Sequence, residues 1–275
     1  MTPPPLPQSA TYADTLTMMG RQVDRLSTPE GRPVVVLRRR VGPVPVCYLP
    51  RPDLSDQRAV VLRHLPAHAT VLINADTPLR LRGCLPILTP QHVAELHRPG
   101  QPGPDPLLTR MHGKWRNRLR RAMDGPLRAE AGPFRPAAHA PLLAEEARQR
   151  RRRGYRGYPP AFLDAWTRAA PDQARLYQAR RGSATVAFML FLLHEGAASY
   201  AIGWTGPEGR RHHAHPLLMW TAMTDLFARD TRRIDLGPVD TDGGAGRARF
   251  KLGCGATLRR LGPTLLSPPG FRVSP

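Results

Sequence analysis

Two of the 41 basic side chains in this sequence are lysines, Lys114 and Lys251, and each lies in a segment whose residue types can do chemistry. In Arg249-Phe250-Lys251, a partly desolvated ammonium at Lys251 would stabilise negative charge developing on a reacting oxygen, or hold a phosphate, while Phe250 excludes water beside it. The pattern alone fits a surface lysine beside a core phenylalanine better. Around Lys114, the apolar residues Met111, Trp115, Leu119 and Met123 recur every four, and Lys114, Arg118 and Arg121 share another face. That face suits anionic groups, or it is simply the solvated side of an amphipathic helix. Asp235, Asp240 and Asp242 offer carboxylates that can take a proton from a nucleophile, but Asp beside Gly is also ordinary turn chemistry, and the sequence selects no base. The triplet His212, His213 and His215 points in different directions in an extended loop with no cysteine nearby, so no metal is expected; the histidines are read as lining a donor site. Arg148 to Arg156, interleaved with Tyr155 and Tyr158, combine bidentate phosphate grip with stacking surfaces, or form a charged helix end.

These residues need elements to position them. A helix is expected over residues 12–25, strands over 33–37 and 44–49 about Gly42-Pro43, a short helix over 55–65, a strand over 70–74 and an extended segment over 91–97. The Pro/Gly-rich stretch 98–106 separates two halves. The second half opens with a helix over 108–123, stopped by Asp124-Gly125-Pro126. Helices over 138–153 and 161–169 follow. The period then changes, and 175–179, 185–193 and 198–205 read as an antiparallel meander whose middle strand is apolar throughout and buried on both faces. A helix from 216 to 229, a short strand over 234–237, a Gly-rich loop, a helical turn and a last strand complete the chain.

At 275 residues and 41% apolar content the chain can build ordinary cores. The longest apolar run, 184–193, is too short to cross a bilayer, for which about 20 residues are needed, so no membrane span is expected. The opening MTPPPLPQSA lacks a secretory pattern, which makes the cytoplasm the expected compartment. Cys47, Cys84 and Cys254 are odd in number and lack Cys-x-x-Cys spacing, arguing against a disulfide framework or structural zinc. A net charge of +20 attracts polyanions without specificity. Its arginine bias, in a chain also rich in Ala, Pro and Gly, is what a GC-rich genome places at tolerant surface positions.

Three segments carry a resemblance. The basic helix Lys114-Trp115-Arg116-Asn117-Arg118, Asp235-Leu236-Gly237 at a strand end before a Gly-rich loop, and Arg249-Phe250-Lys251-Leu252-Gly253-Cys254-Gly255 resemble the Fem-type, GNAT-like acyltransferases, whose chains contain two GNAT-like halves. Gln8-Ser9 before the first helix is similar to how such chains begin. The resemblance implies a mixed α/β GNAT-like fold with a reduced N-terminal half: a flexible Pro-rich tail at 1–10, an N-terminal half at 11–106 and an acyltransferase half at 107–275. It implies transfer of an acyl or aminoacyl group from acyl-CoA or aminoacyl-tRNA to the amine of a small molecule or peptide. Phe250 and Lys251 would flank the reacting centre, and Lys114, Arg118, Arg121, Arg211, Tyr155 and Asp235 would bind donor and acceptor. Where acyl-CoA enzymes of this kind carry an Arg/Gln-x-x-Gly-x-Gly/Ala phosphate loop, this chain has Arg211-His212-His213-Ala214-His215-Pro216, compatible with a modified acyl-CoA site or with another donor. The alternative reading is a GNAT-like module that binds tRNA or other RNA without catalysis.

Overall fold

The computed structural model describes residues 2–54, 56–100, 105–239 and 244–270, with the backbone alone at 56–59. Residues 6–9, expected in a flexible tail, are built into the fold. Leu6–Gln8 forms a 3₁₀ turn, and Leu6, Gln8 and Ser9 are buried. The Gln8 amide acts as a strand surrogate, accepting from Val35 N at 2.9 Å and donating to Pro50 O at 2.7 Å. Ser9 caps helix α1 (Ala10–Met18) by accepting from Tyr12 N at 3.1 Å. The helix ends well before residue 25 because Gly20 turns the backbone into the left-handed region at φ +72°, which frees β1 (Gln22–Ser27) to pair antiparallel with β2 (Pro33–Val41).

A hairpin at Gly42-Pro43 leads from β2 to β3 (Val44–Pro50), which runs parallel to β4 (Thr70–Asn74) after the 3₁₀ segment Asp56–His64. Next comes β5 (Leu85–Leu88), which sequence reasoning missed, then β6 (His92–His97). The expected helix over 108–123 is two: α2 (Asp105–Arg110) and α3 (Gly113–Met123), parted at His112, whose backbone is extended at ψ 143°. An unanticipated strand β7 (Arg128–Pro133) precedes α4 (Ala140–Arg153) and α5 (Pro160–Ala169). The meander follows: β8 (Ala174–Arg181), β9 (Ala184–His194) and β10 (Ala197–Thr205) are paired antiparallel, with Val186 to Leu192 of β9 buried without interruption. A short helix α6 (Pro207–Arg211) stands where a loop was expected. After α7 (Ala214–Ala228) come β11 (Arg233–Pro238), α8 (Ala245–Gly253), β12 (Thr257–Arg260) and β13 (Thr264–Ser267).

The strands form two mixed sheets, in the orders β1-β2-β3-β4-β13-β5 and β12-β6-β11-β10-β9-β8-β7. Two compact units correspond to them, and their limits differ from the halves 11–106 and 107–275. One unit holds residues 4–93 and the chain end from Arg259; the other holds 94–258 with the first three residues. Long-range pairing is the reason. β6 hydrogen-bonds into the seven-stranded sheet, and β13 returns to lie between β4 and β5, where Leu265 and Ser267 are buried. In the seven-stranded unit, α3 and α7 pack through Trp115, Leu119, Leu218 and Ala222 into one core with β8–β11. Asp225 ties α7 to β8, accepting from Arg175 and from the Tyr177 hydroxyl at 2.7 Å. Among the described residues, no helix is long and apolar enough to cross a membrane.

Candidate active site

β10 and β11 are parallel neighbours, but their registered pairs stop at Ser199 and Asp235. β10 bulges between Tyr200 and Ile202, so the two strands part while both continue. Parted parallel strands present backbone groups and side chains to a ligand, and here the parting lies at the carboxyl end of the strands. The Tyr200 side chain folds over Gly203, where an added Cβ would lie 2.1 Å from its hydroxyl. Gly203→Ala is therefore expected to cost about 1–3 kcal/mol, measured by urea unfolding. Tyr200→Phe in the same chain should recover part of that loss by removing the clashing oxygen; an alanine variant as stable as the parent would disprove this packing.

On the β11 side, Asp235 is buried and accepts from Gly237 N at 2.7 Å, an Asx-type turn made with Gly237 at φ +78°. The expected turn role of Asp235 is thus present. The ammonium of Lys251, from α8, reaches over this turn and donates to Pro238 O at 2.8 Å. Burial pulls its pKa down to about 8; the Asp235 carboxylate opposes that pull and Arg247 adds to it. Phe250, one residue earlier, lies between two rings, with centroids 6.0 Å from Trp115 and 5.9 Å from His215. Trp115 in turn needs Gly253, because a Cβ there would fall 2.7 Å from its Cδ1.

His215 Nε2–H donates to Trp204 O at 3.2 Å. Burial holds its pKa down at about 4 despite that bond, and Arg153 and Arg210 push the same way. The ring is therefore neutral at ordinary pH and acts as a wall beside Phe250. Burial also pushes the Cys254 thiol up to about 12, and its S–H points to Lys251 O at 2.9 Å. It is a structural thiol, not a nucleophile.

The basic face of α3 converges on the start of α7. His213, held at φ 54° as the residue preceding that helix, has its pKa lowered first by burial and then by Arg118 and Arg121. Lys114 is exposed one turn earlier on the same face. Arg211, at the end of α6, is paired with Glu208 at 3.0 Å on a carboxylate shared with Arg181 and His212. Tyr155 donates to the buried Glu146 Oε1 at 3.1 Å and accepts from Gln149 Nε2 at 3.1 Å; the same amide is 3.5 Å from Gly203 O. That chain places Tyr155 on the β10 side of the parting. Asp240 and Asp242 lie outside the described residues. Sequence reasoning counted Trp115 as plain core and missed Trp204, Gln149, Glu146 and Tyr200. The available signals were an isolated glycine four residues after Arg249 and two polar residues, Glu146 and Gln149, three apart on one helix face.

Just before α7, three backbone donors are already engaged within the chain. The N–H groups of Arg210, His212 and His213 are spent on Gly206 O, Glu208 O and Arg210 O, and Pro216 has none. The side chains of Arg118 and Arg121, which act on His213 there, are cations that an anion at this point would meet.

The sequence family described as an acetyltransferase (GNAT) domain matches residues 110–252. A search of curated proteins found no match. Among solved structures, FemX superposes with a TM-score of 0.77 at 13% identity, covering 98% of this chain and 93% of its own. A conserved protein of unknown function from Bacteroides thetaiotaomicron gives 0.61 at 14% identity, with 95% and 90% covered. The C-terminal domain of a putative lysylphosphatidylglycerol synthetase from Agrobacterium fabrum gives 0.59 at 14% identity, with 95% and 88% covered. At such identities the likeness is one of fold.

Proposed function

Because the chain belongs to the GNAT acetyltransferase-domain family, we propose that it transfers an acyl or aminoacyl group from an acyl-CoA or an aminoacyl-tRNA to the amine of a small-molecule or peptide acceptor. The observation that carries this reading is the Lys251 ammonium fixed over Gly237-Pro238, beside the place where β10 and β11 part. The acceptor amine attacks the donor carbonyl carbon. As the carbon–nitrogen bond forms, the carbonyl oxygen takes up negative charge and the Lys251 cation stabilises it. The bond to the donor's sulfur or ribose oxygen then breaks, and the proton released by the amine ends on that leaving atom as the thiol or hydroxyl forms. Phe250, backed by Trp115 and the neutral His215, keeps water from the carbonyl. Alignment of the two reactants supplies much of the rate.

Donor phosphates would be held by Arg118 and Arg121, with Lys114 adding charge. With the N–H groups of Arg210, His212 and His213 engaged within the chain and none on Pro216, a coenzyme A pyrophosphate would lean on these side chains more than on the backbone. The structural neighbour bearing the name of a lysylphosphatidylglycerol synthetase and the Fem-type resemblance support the aminoacyl-tRNA arm. The test is to incubate the protein with acyl-CoAs or charged tRNAs and an amine panel, following donor deacylation and product mass. Saturable, acceptor-dependent transfer is expected. Binding of tRNA that weakens steeply with salt and yields no product would overturn the reading in favour of a non-catalytic RNA-binding module.

A further inference from the structure

We propose that one end of the six-stranded sheet is a docking face for an anionic lipid bilayer, a property independent of the transfer reaction. The strand registers bring four chain segments to that end. Val41 pairs with Val44 at the hairpin, Val46 with Thr70 at the start of β4, Ser267 with Val71, and Leu266 with Leu85 at the start of β5. Three aliphatic side chains stand out in solvent there: Val41 at 66%, Leu85 at 62% and Val44 at 39% exposure. Exposed arginines Arg39, Arg40 and Arg82 accompany them. Residues 38–49, 63–72, 80–91 and 264–270 contain no aspartate or glutamate, and on β1, which pairs Gln22 with Arg38, the carboxylate of Asp24 is taken up by Arg38.

Aliphatic tips that gain by leaving water, accompanied by the cations of Arg39, Arg40 and Arg82, with Asp24 neutralised by Arg38, match the two demands of an anionic membrane surface. Nucleic acid would use the cations but has no partner for valine and leucine, since bases stack on aromatic rings. Edge pairing with another strand is disfavoured, because Pro86 lacks an N–H and β5 shifts register between Pro86 and Leu88.

The experiment is co-sedimentation of the full chain with vesicles of mixed phosphatidylglycerol and phosphatidylcholine, and with phosphatidylcholine alone. Salt-sensitive binding to the anionic vesicles only is expected. Val41→Ser with Leu85→Ser should weaken it by about tenfold or more, and each of Arg39→Gln and Arg40→Gln by about fivefold. These are solvent-facing changes, and unchanged urea midpoints will show that the variants fold. Absence of binding to anionic vesicles, or binding indifferent to the serine pair, overturns the proposal. A concentration-dependent dimer by light scattering that the serine pair abolishes reassigns the face to a second copy of the chain. Tighter binding to single-stranded RNA that ignores the serine pair reassigns it to nucleic acid.

Discussion

Lys251→Ala is expected to reduce turnover by about two to three orders of magnitude, the usual effect of removing one preorganised stabiliser of an oxyanion, while the fold persists. Nζ is held by Pro238 O at 2.8 Å beside Asp235 and Gly237, so its position is set before a donor arrives. The pH dependence follows from its pKa, about 8 in the fold against an ordinary value of 10.5. If the cation does the work, the rate falls as pH rises through about 8, and Lys251→Arg, which stays charged, flattens that limb. The stability dependence has the opposite sense. Between about 8 and 10.5 the unfolded chain holds a proton that the folded chain has released, so stability rises with pH across that window. Below 8 the burial penalty is fully present. Lys251→Met should remove both the rate and the rise in stability. Full activity in the alanine variant removes Lys251 from the mechanism, and a rate that increases through pH 8 shows that the neutral amine is the working form.

The largest stability effect is expected at Trp115. It is 4% exposed, lies against Phe250 and fits over the bare Cα of Gly253. Trp115→Ala should cost about 3–5 kcal/mol, combining the lost transfer of the indole with the cavity it leaves. Because the same ring supports α8, turnover should fall as well, through displacement of Phe250 and Lys251. Trp115→Phe should lose much less, since it keeps an aromatic ring and deletes an indole N–H that is buried without a hydrogen-bond partner among the described residues. Urea midpoints of the two variants decide the matter. Equal and small losses would show that the ring is not the support for α8.

The meander was readable because hairpin register is set locally, by alternation and by Arg181-Gly182-Ser183 and Glu195-Gly196. β9 is apolar throughout and is buried as its composition requires. β5 and β7 escaped because neither alternates cleanly: Leu85–Leu88 is exposed throughout, and β7 is mostly exposed and polar. The helix expected over 12–25 runs through Gly20, whereas the left-handed backbone of that glycine ends α1 and releases β1.

By itself the sequence determined the meander, the positions of α4, α5 and α7 to within a few residues, and the acyltransferase-family motifs, because these depend on neighbours close in the chain. Only the tertiary structure decided that β13 returns to the six-stranded sheet, that β6 leaves for the other one, and that Phe250 meets Trp115 from 135 positions away in the chain. Such contacts are chosen by the shape and burial of whole surfaces, in competition with every alternative pairing, and no local pattern of residues encodes the winner.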